Sequence, residues 1–306
     1  MGGWLNDLPL IIRADATAET GAGHVMRCAS LAAAWTAATG SAGIFVGRIE
    51  IPFVLRQLAQ VGALLESSEF SATDGALVVV DSYDAGTRAS WARAPGAVLR
   101  VLIDDVGAEV PDGFNVVLNP NPYATEALYP SFAGELLAGG GAVLLREGLP
   151  AAKTGVGTGV LLGGGGPSRV LLSALERLSE TAALGPWAAV GEWAPAGWRT
   201  VPSDGPWGDL SSRARLLVAA GSATWESASV GVPVALVEVA DNQRLVADWA
   251  RQQGTPVVRV ADYTCAATLT DALRNALVHA RKMPVLKSGS QSVVTRLIAL
   301  AARGPG

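Results

Sequence analysis

The sequence predicts an α/β protein made of two Rossmann-like domains, each a parallel sheet covered by helices. Three observations lead there. Short continuous apolar runs, such as 77–80 and 233–237, alternate with stretches of helical spacing, the pattern of strands buried on both faces. The alternation occurs twice, separated by a turn-rich stretch at 146–159 that contains Gly148, Pro150 and Lys153. Glycine-rich turns also sit where apolar runs hand over to helices, and in open α/β sheets ligands bind outside those strand ends.

In the first half, a strand at 10–12 leads into a helix at 24–39, with Val25, Cys28, Leu31, Ala32 and Trp35 on one face. A strand at 41–46, a helix at 52–61, a strand at 77–80, a helix at 87–94 and strands at 98–103 and 115–118 follow. The second half reads as a strand at 159–162, a helix at 167–178 opened by Pro167, and a weak strand at 188–190. Then come a strand at 216–219, a helix at 224–229, a strand at 233–237 and a helix at 243–252. Helices at 271–279 and 291–302 close the chain. The expected domains are 1–148 and 149–306, with the last helix free to pack back on the first domain. A length of 306 residues fits about two domains, and two such domains facing one another would make a cleft.

Composition narrows the function. Hydrophobic residues make up 50% and charged residues 16% of the chain, which describes a globular protein rather than a disordered one. A net charge of -4, with no basic run interleaved with aromatics, argues against a nucleic-acid partner. The apolar runs are too short to span a bilayer and no secretory signal opens the chain. The two cysteines, Cys28 and Cys265, lie far apart without metal-ligand spacing, which suits a reducing compartment. The expectation is a cytoplasmic protein without a membrane span. No heptad pattern points to a coiled-coil partner, and the oligomeric state is left undefined.

The chain has only two histidines, and His24 lies where the first strand hands over to the first helix. Gly21 and Gly23 beside it let backbone approach a ligand closely, and the helix that follows presents unpaired amides. His24 there is suited to take a proton from water; the plain alternative is a capping loop with a solvent-facing histidine. Gly164 and Gly165 belong to a second strand-to-helix glycine loop, a phosphate cradle or merely a tight turn, which lacks the Lys-Ser/Thr ending of a P-loop. A third turn offers Gly221, Ser222 and Ala223 to a diphosphate. Glu226, inside the next helix, is suited to accept two ribose hydroxyls or else simply stabilises the helix dipole. Asn242 and Gln243 open the neighbouring helix.

At the rim of the first domain lie Asp81-Ser82-Tyr83 and Asp104-Asp105, with Tyr83 placed to touch substrate. Adjacent aspartates invite a Mg²⁺ site, but neighbours in a turn usually point apart, so turn and capping roles are expected and no metal. His279 reads as a helix-end surface residue. Trp4, Trp35, Trp91 and Trp249 read as core or surface anchors.

Taken together, several segments resemble a known family. They are Arg13-Ala14-Asp15, Gly21-Ala22-Gly23-His24-Val25-Met26-Arg27-Cys28, Val80-Asp81-Ser82-Tyr83, Ile103-Asp104-Asp105, Leu144-Leu145-Arg146, Gly221-Ser222 with Trp225-Glu226, and Asp241-Asn242-Gln243. In order and spacing this set is similar to the pseudaminic-acid pathway UDP-sugar hydrolases and the related spore-coat polysaccharide proteins, smaller relatives of the MurG-type GT-B glycosyltransferases. The resemblance implies a GT-B fold whose C-terminal domain holds UDP and whose N-terminal domain holds the sugar. It implies that His24 activates water at the anomeric carbon, expelling UDP with inversion and without a cofactor. It further implies that Glu226 grips the ribose, Gly221 and Ser222 the diphosphate, and Asn242 and Tyr83 the sugar or phosphate side, with Arg13 and Asp15 among the binding residues. Two departures, Ser82 where the family commonly has histidine and Pro167-Ser168 where it often has an acidic residue, bear on the sugar accepted. The expected partner is a small nucleotide sugar. The rival readings are a glycosyltransferase, in which His24 deprotonates an acceptor hydroxyl, and a nucleotide-sugar-binding protein without catalysis.

Overall fold

The computed structural model describes residues 8–66, 73–163 and 166–303. They divide into two compact units, one formed by Met1–Glu147 with Lys287–Gly306 and the other by Gly148–Leu286. The second unit therefore stops short of the chain end, and the last twenty or so residues belong with the first.

The first unit runs β1 (Leu10–Ala14), α1 (Gly23–Thr39), β2 (Gly43–Val46), α2 (Pro52–Gln60), β3 (Leu64–Glu66), β4 (Leu77–Asp81), α3 (Ala85–Trp91), β5 (Leu99–Ile103), β6 (Val116–Asn119) and β7 (Glu135–Ala138). Its seven strands lie in the order β3-β2-β1-β4-β5-β6-β7, and every pairing is parallel. The strands bury both faces: Leu10 and Ile12 pack on one side with Val25, Leu31 and Trp35, while Ile11, Val78 and Val80 pack on the other. That is why they read as unbroken apolar runs.

Helix α1 is apolar on more than one side, burying Ala29 and Ala34 as well as its Val25-Cys28-Leu31-Trp35 stripe. The reason is tertiary, since α1 lies between the sheet and α9 (Ser290–Ala301), which brings Val293, Val294 and Leu297 into the same core. Gly40, in the left-handed conformation at φ 78°, ends α1 by donating its amide to the Thr36 carbonyl.

The second unit runs β8 (Thr158–Leu161), α4 (Arg169–Ser179), β9 (Trp187–Val190), β10 (Arg199–Val201), α5 (Trp207–Leu210), β11 (Arg215–Ala219), α6 (Ser222–Val230), β12 (Val234–Glu238), α7 (Arg244–Gln252), β13 (Val257–Arg259) and α8 (Ala266–Val278). Its six strands, ordered β10-β9-β8-β11-β12-β13, are again all parallel. Leu171, Leu175 and Leu178 of α4 and Leu269, Leu273 and Leu277 of α8 cover one face of this sheet.

Several boundaries differ from the sequence expectation, each for a local reason. Helix α4 starts two residues later than expected because Ser168 is its N-cap, its hydroxyl accepting from the Leu171 amide, so Pro167 stands outside the helix. Asp84 caps α3 in the same way through the Thr87 amide, starting that helix two residues early. Helix α8 begins five residues early. Strands β3, β7, β10 and β13 and the short α5 were not expected, because edge strands of three or four residues give too little periodicity to register. Trp35 is fully buried, as an anchor should be, and Trp249 packs edge-on against Trp225. Trp4 lies outside the described residues.

In each sheet the strand order reverses once, between β1 and β4 in the first unit and between β8 and β11 in the second. Loops leaving two such strands diverge to opposite faces and open a crevice at their carboxyl ends. The segments that carry His24, Tyr83, Ser222 and Glu226 leave those strands.

Because α9 completes the core of the first unit, Leu297→Ala is expected to cost about 2–5 kcal/mol of stability. Urea unfolding measures it, and a loss under about 1 kcal/mol would contradict the packing of α9 on α1.

Candidate functional site

At the reversal point of the first unit, β1 leads through the glycine loop into α1, and β4 ends on Asp81. Gly21 adopts φ 70°, a left-handed turn open to glycine at little cost, and nothing lies within 4 Å of where a side chain would begin. Gly23 is the first residue of α1, and no side chain caps that helix. His24 follows in its first turn, 12% exposed.

The His24 Nδ1 lies 2.5 Å from Asp81 Oδ1. An ionised carboxylate only accepts, so Nδ1–H donating to Asp81 assigns the lone pair of the neutral form to Nε2, with Arg27 Nη2 also 3.3 Å from Nδ1. Asp81 is 1% exposed and is gripped again by Arg27, whose Nε donates to Oδ2 and Nη2 to Oδ1, both at 2.6 Å. The remaining Arg27 nitrogen, Nη1, donates to Asp105 Oδ1 at 2.6 Å. Asp105 also accepts from the Tyr83 hydroxyl at 2.6 Å and from Asn121 at 3.0 Å. Tyr83 returns to the start of the circuit, its ring edge-on to His24 with centroids 4.7 Å apart.

The electrostatics follow from this geometry. Burial opposes ionisation of Asp81 and Asp105, but the adjacent Arg27 guanidinium outweighs it, holding Asp105 below and Asp81 well below the usual carboxylate range. Burial and the charge of Asp105 push the Tyr83 hydroxyl up, so it stays protonated and donates. Burial beside Asp81 pushes the Cys28 thiol up likewise. Among these groups, His24 Nε2 is the one lone pair suited to accept a proton near neutral pH.

The adjacent aspartates divide their work. Asp104 caps its own turn, taking the amides of Val106, Gly107 and Ala108, and pairs with Arg88 at 3.0 Å and the Tyr129 hydroxyl at 2.8 Å. Asp105 joins the cluster around Arg27. Each carboxylate is engaged by protein donors, as the turn-and-capping reading expects for Asp104 but not for Asp105. Arg13 and Asp15 are spent on each other in a two-pronged ion pair of 2.6 and 2.9 Å, and Asp15 also takes the Arg48 amide. Gly47 allows that clamp, because at φ 149° a side chain there would strike the Ala14 carbonyl.

At the reversal point of the second unit, Gly221 precedes α6 without a side-chain cap, leaving the amides of Ser222 and Ala223 unused within the helix. Glu226 stands one turn in, one oxygen accepting the Trp207 indole N–H at 2.8 Å. Gln243 folds onto its own loop, its side-chain carbonyl accepting from the Val239 amide, and Asn242 is exposed in the same short turn. Gly164 and Gly165 lie outside the described residues. His279 ends α8, as a surface residue, its Nδ1 2.8 Å from the Asn275 carbonyl.

Sequence reasoning singled out His24, Tyr83 and Glu226 but missed how Asp81, Arg27 and Trp207 hold them. Arg27 carried a readable signal, one helical turn after His24 and therefore on the same face. Trp207 carried none.

The depressed carboxylates fix a sign for acid stability. A group whose folded-state pKa lies below its unfolded value, about 3.9 for aspartate, stabilises fully above that pH and loses its contribution as pH falls through the folded value. Asp105→Asn is therefore expected to lose less stability than the wild type between about pH 5 and pH 2.5. Urea midpoints across that range measure it, and equal losses would show that Asp105 is not held ionised.

No protein-family model matches the chain, and no curated protein sequence does. Solved structures do. S. aureus MnaA in a co-structure with UDP matches over 98% of this chain and 99% of that one, with 11% identity and a TM-score of 0.62. UDP-GlcNAc 2-epimerase from Neisseria meningitidis bound to UDP-GlcNAc covers 96% and 100%, at 9% identity and 0.62. The spinosyn rhamnosyltransferase SpnG complexed with thymidine diphosphate covers 97% of each chain, at 12% identity and 0.59. At such identities the likeness concerns architecture, and with the two parallel sheets it establishes that this chain has a GT-B type fold.

Proposed function

We propose that the chain is a nucleotide-sugar enzyme of the UDP-amino-sugar class that hydrolyses its substrate at the anomeric carbon, with His24 as general base. The observation that carries this reading is the 2.5 Å contact between His24 and Asp81. It leaves Nε2 as the basic atom and sets a counter-charge beside the imidazolium that forms, the arrangement that makes histidine an effective base. In the reaction, water attacks C1 while Nε2 takes its proton. The bond from C1 to the diphosphate oxygen breaks, and the nucleoside diphosphate leaves with the electron pair. A single displacement inverts the anomeric centre.

The uncapped amides of Ser222 and Ala223 at the start of α6 suit the growing charge on that leaving group. Glu226, steadied by Trp207, suits the ribose hydroxyls. Tyr83 cannot act as a base because its hydroxyl donates to Asp105; its half-exposed ring beside His24 suits a sugar face. The structural neighbours crystallised with UDP, UDP-GlcNAc and thymidine diphosphate support the substrate class.

Two rival reactions use the same groups. A glycosyltransferase would have His24 deprotonate an acceptor hydroxyl, a reading favoured by the likeness to SpnG. A 2-epimerase is favoured by the likeness to the Neisseria meningitidis enzyme. Incubation with a panel of UDP-sugars separates them: free sugar with UDP indicates hydrolysis, UDP only with added acceptor indicates transfer, and an epimer that retains UDP indicates epimerisation. On the accepted sugar, His24→Gln is expected to lower UDP release at least about 100-fold while remaining folded. Near-normal release from that variant would eliminate His24 as the base.

A further inference from the structure

We propose that Arg27 is a positioning residue that keeps His24 in its proton-accepting form, by neutralising one of the two buried carboxylates that would otherwise hold the ring protonated. The inference rests on the reading of His24 as a base and concerns how that base is kept ready.

The argument is one of charge. Asp81 and Asp105 come from the carboxyl ends of adjacent strands, β4 and β5, and each meets the guanidinium at 2.6 Å. Two carboxylates and one guanidinium leave a single net negative charge beside a neutral ring. When His24 takes a proton the cluster becomes neutral, so the remaining negative charge supports proton uptake. Without Arg27 the ring would face two negative charges and would be drawn into the imidazolium state at rest, unable to accept a proton.

The other groups packed around the cluster do not alter this balance. From β5, Asp104 is matched by Arg88 of α3. Tyr83, Tyr123 and Tyr129 stay neutral because burial, with the aspartates next to them, pushes their hydroxyls up. Cys28 on α1 stays a thiol that donates to Asp81 Oδ2 at 3.5 Å. Asn119 at the end of β6 and Asn121 just past it carry no charge. Geometry adds a second effect: Arg27 holds both oxygens of Asp81, which fixes the carboxylate whose Oδ1 meets His24 Nδ1.

The test reads the ring itself. With only two histidines in the chain, long-range ¹⁵N–¹H spectra of the labelled full-length protein follow the titration of His24 against His279, the latter on α8 as internal reference. In Arg27→Gln the His24 titration should move up by about one pH unit or more. In Asp105→Asn, where the cluster loses one negative charge, it should move down. In the double variant it should return toward wild type, because the net charge is restored. His279 should stay fixed throughout.

A folded Arg27→Gln that titrates as wild type overturns the proposal, as does a double variant that fails to return. If Arg27→Gln does not fold, the Asp105→Asn and double variants decide, and an unmoved ring in Asp105→Asn overturns it. The acid limb of the pH profile of kcat/KM on the accepted UDP-sugar should move with the ring. These spectra need no substrate. If the titrations shift as expected while His24→Gln still releases UDP normally, the hydrolytic reading fails and the control of His24 by Arg27 stands.

Discussion

A guanidinium taken out of water costs several kcal/mol unless its charge is met, and Arg27, 9% exposed, is met on both sides. Its three nitrogens hold Asp81 at the end of β4 and Asp105 just past the end of β5, tying α1 to two strands of the first sheet at the point where strand order reverses. His24 takes its orientation from the same carboxylate, and Tyr83 its position from the other. Removing Arg27 leaves two buried carboxylates without their counter-charge. The site is therefore also a structural joint, and its chemistry cannot be varied without touching the packing beneath it.

The second unit uses a quieter device. Its reversal point lies between β8 and β11, with Gly221 in place of a capping side chain, so the amides that open α6 have no side-chain cap. Glu226 accepts the indole N–H of Trp207 from α5. The two units apply one topological rule with different electrostatics, a buried ionic cluster in the first and backbone amides without a side-chain cap in the second.

The alternation of strands and helices was legible in the sequence because both faces of each sheet are covered, which forces apolar runs at 10–12, 77–80 and 216–219. The edge strands β3 and β7 were not, since Leu64 and Leu65 are exposed and β7 is only partly buried. Burial writes the pattern, and where burial is partial the pattern fades. The adjacent aspartates show the limit for side chains. Capping by Asp104 follows from its own turn, whereas the role of Asp105 depends on Arg27, 78 residues earlier.

What the sequence determined by itself was local: the strand-loop-helix units, the glycine turns at their junctions, and a histidine on one of them. Turn geometry and helical spacing act over a few residues, so the residues that obey them are neighbours in the chain. What only the tertiary structure decided was which distant groups share a charge. Asp81 reaches His24 across 57 positions, α9 returns from the chain end to finish the first core, and Trp207 finds Glu226 across a strand. Those contacts depend on strand order and register, and they form only when the sheets assemble.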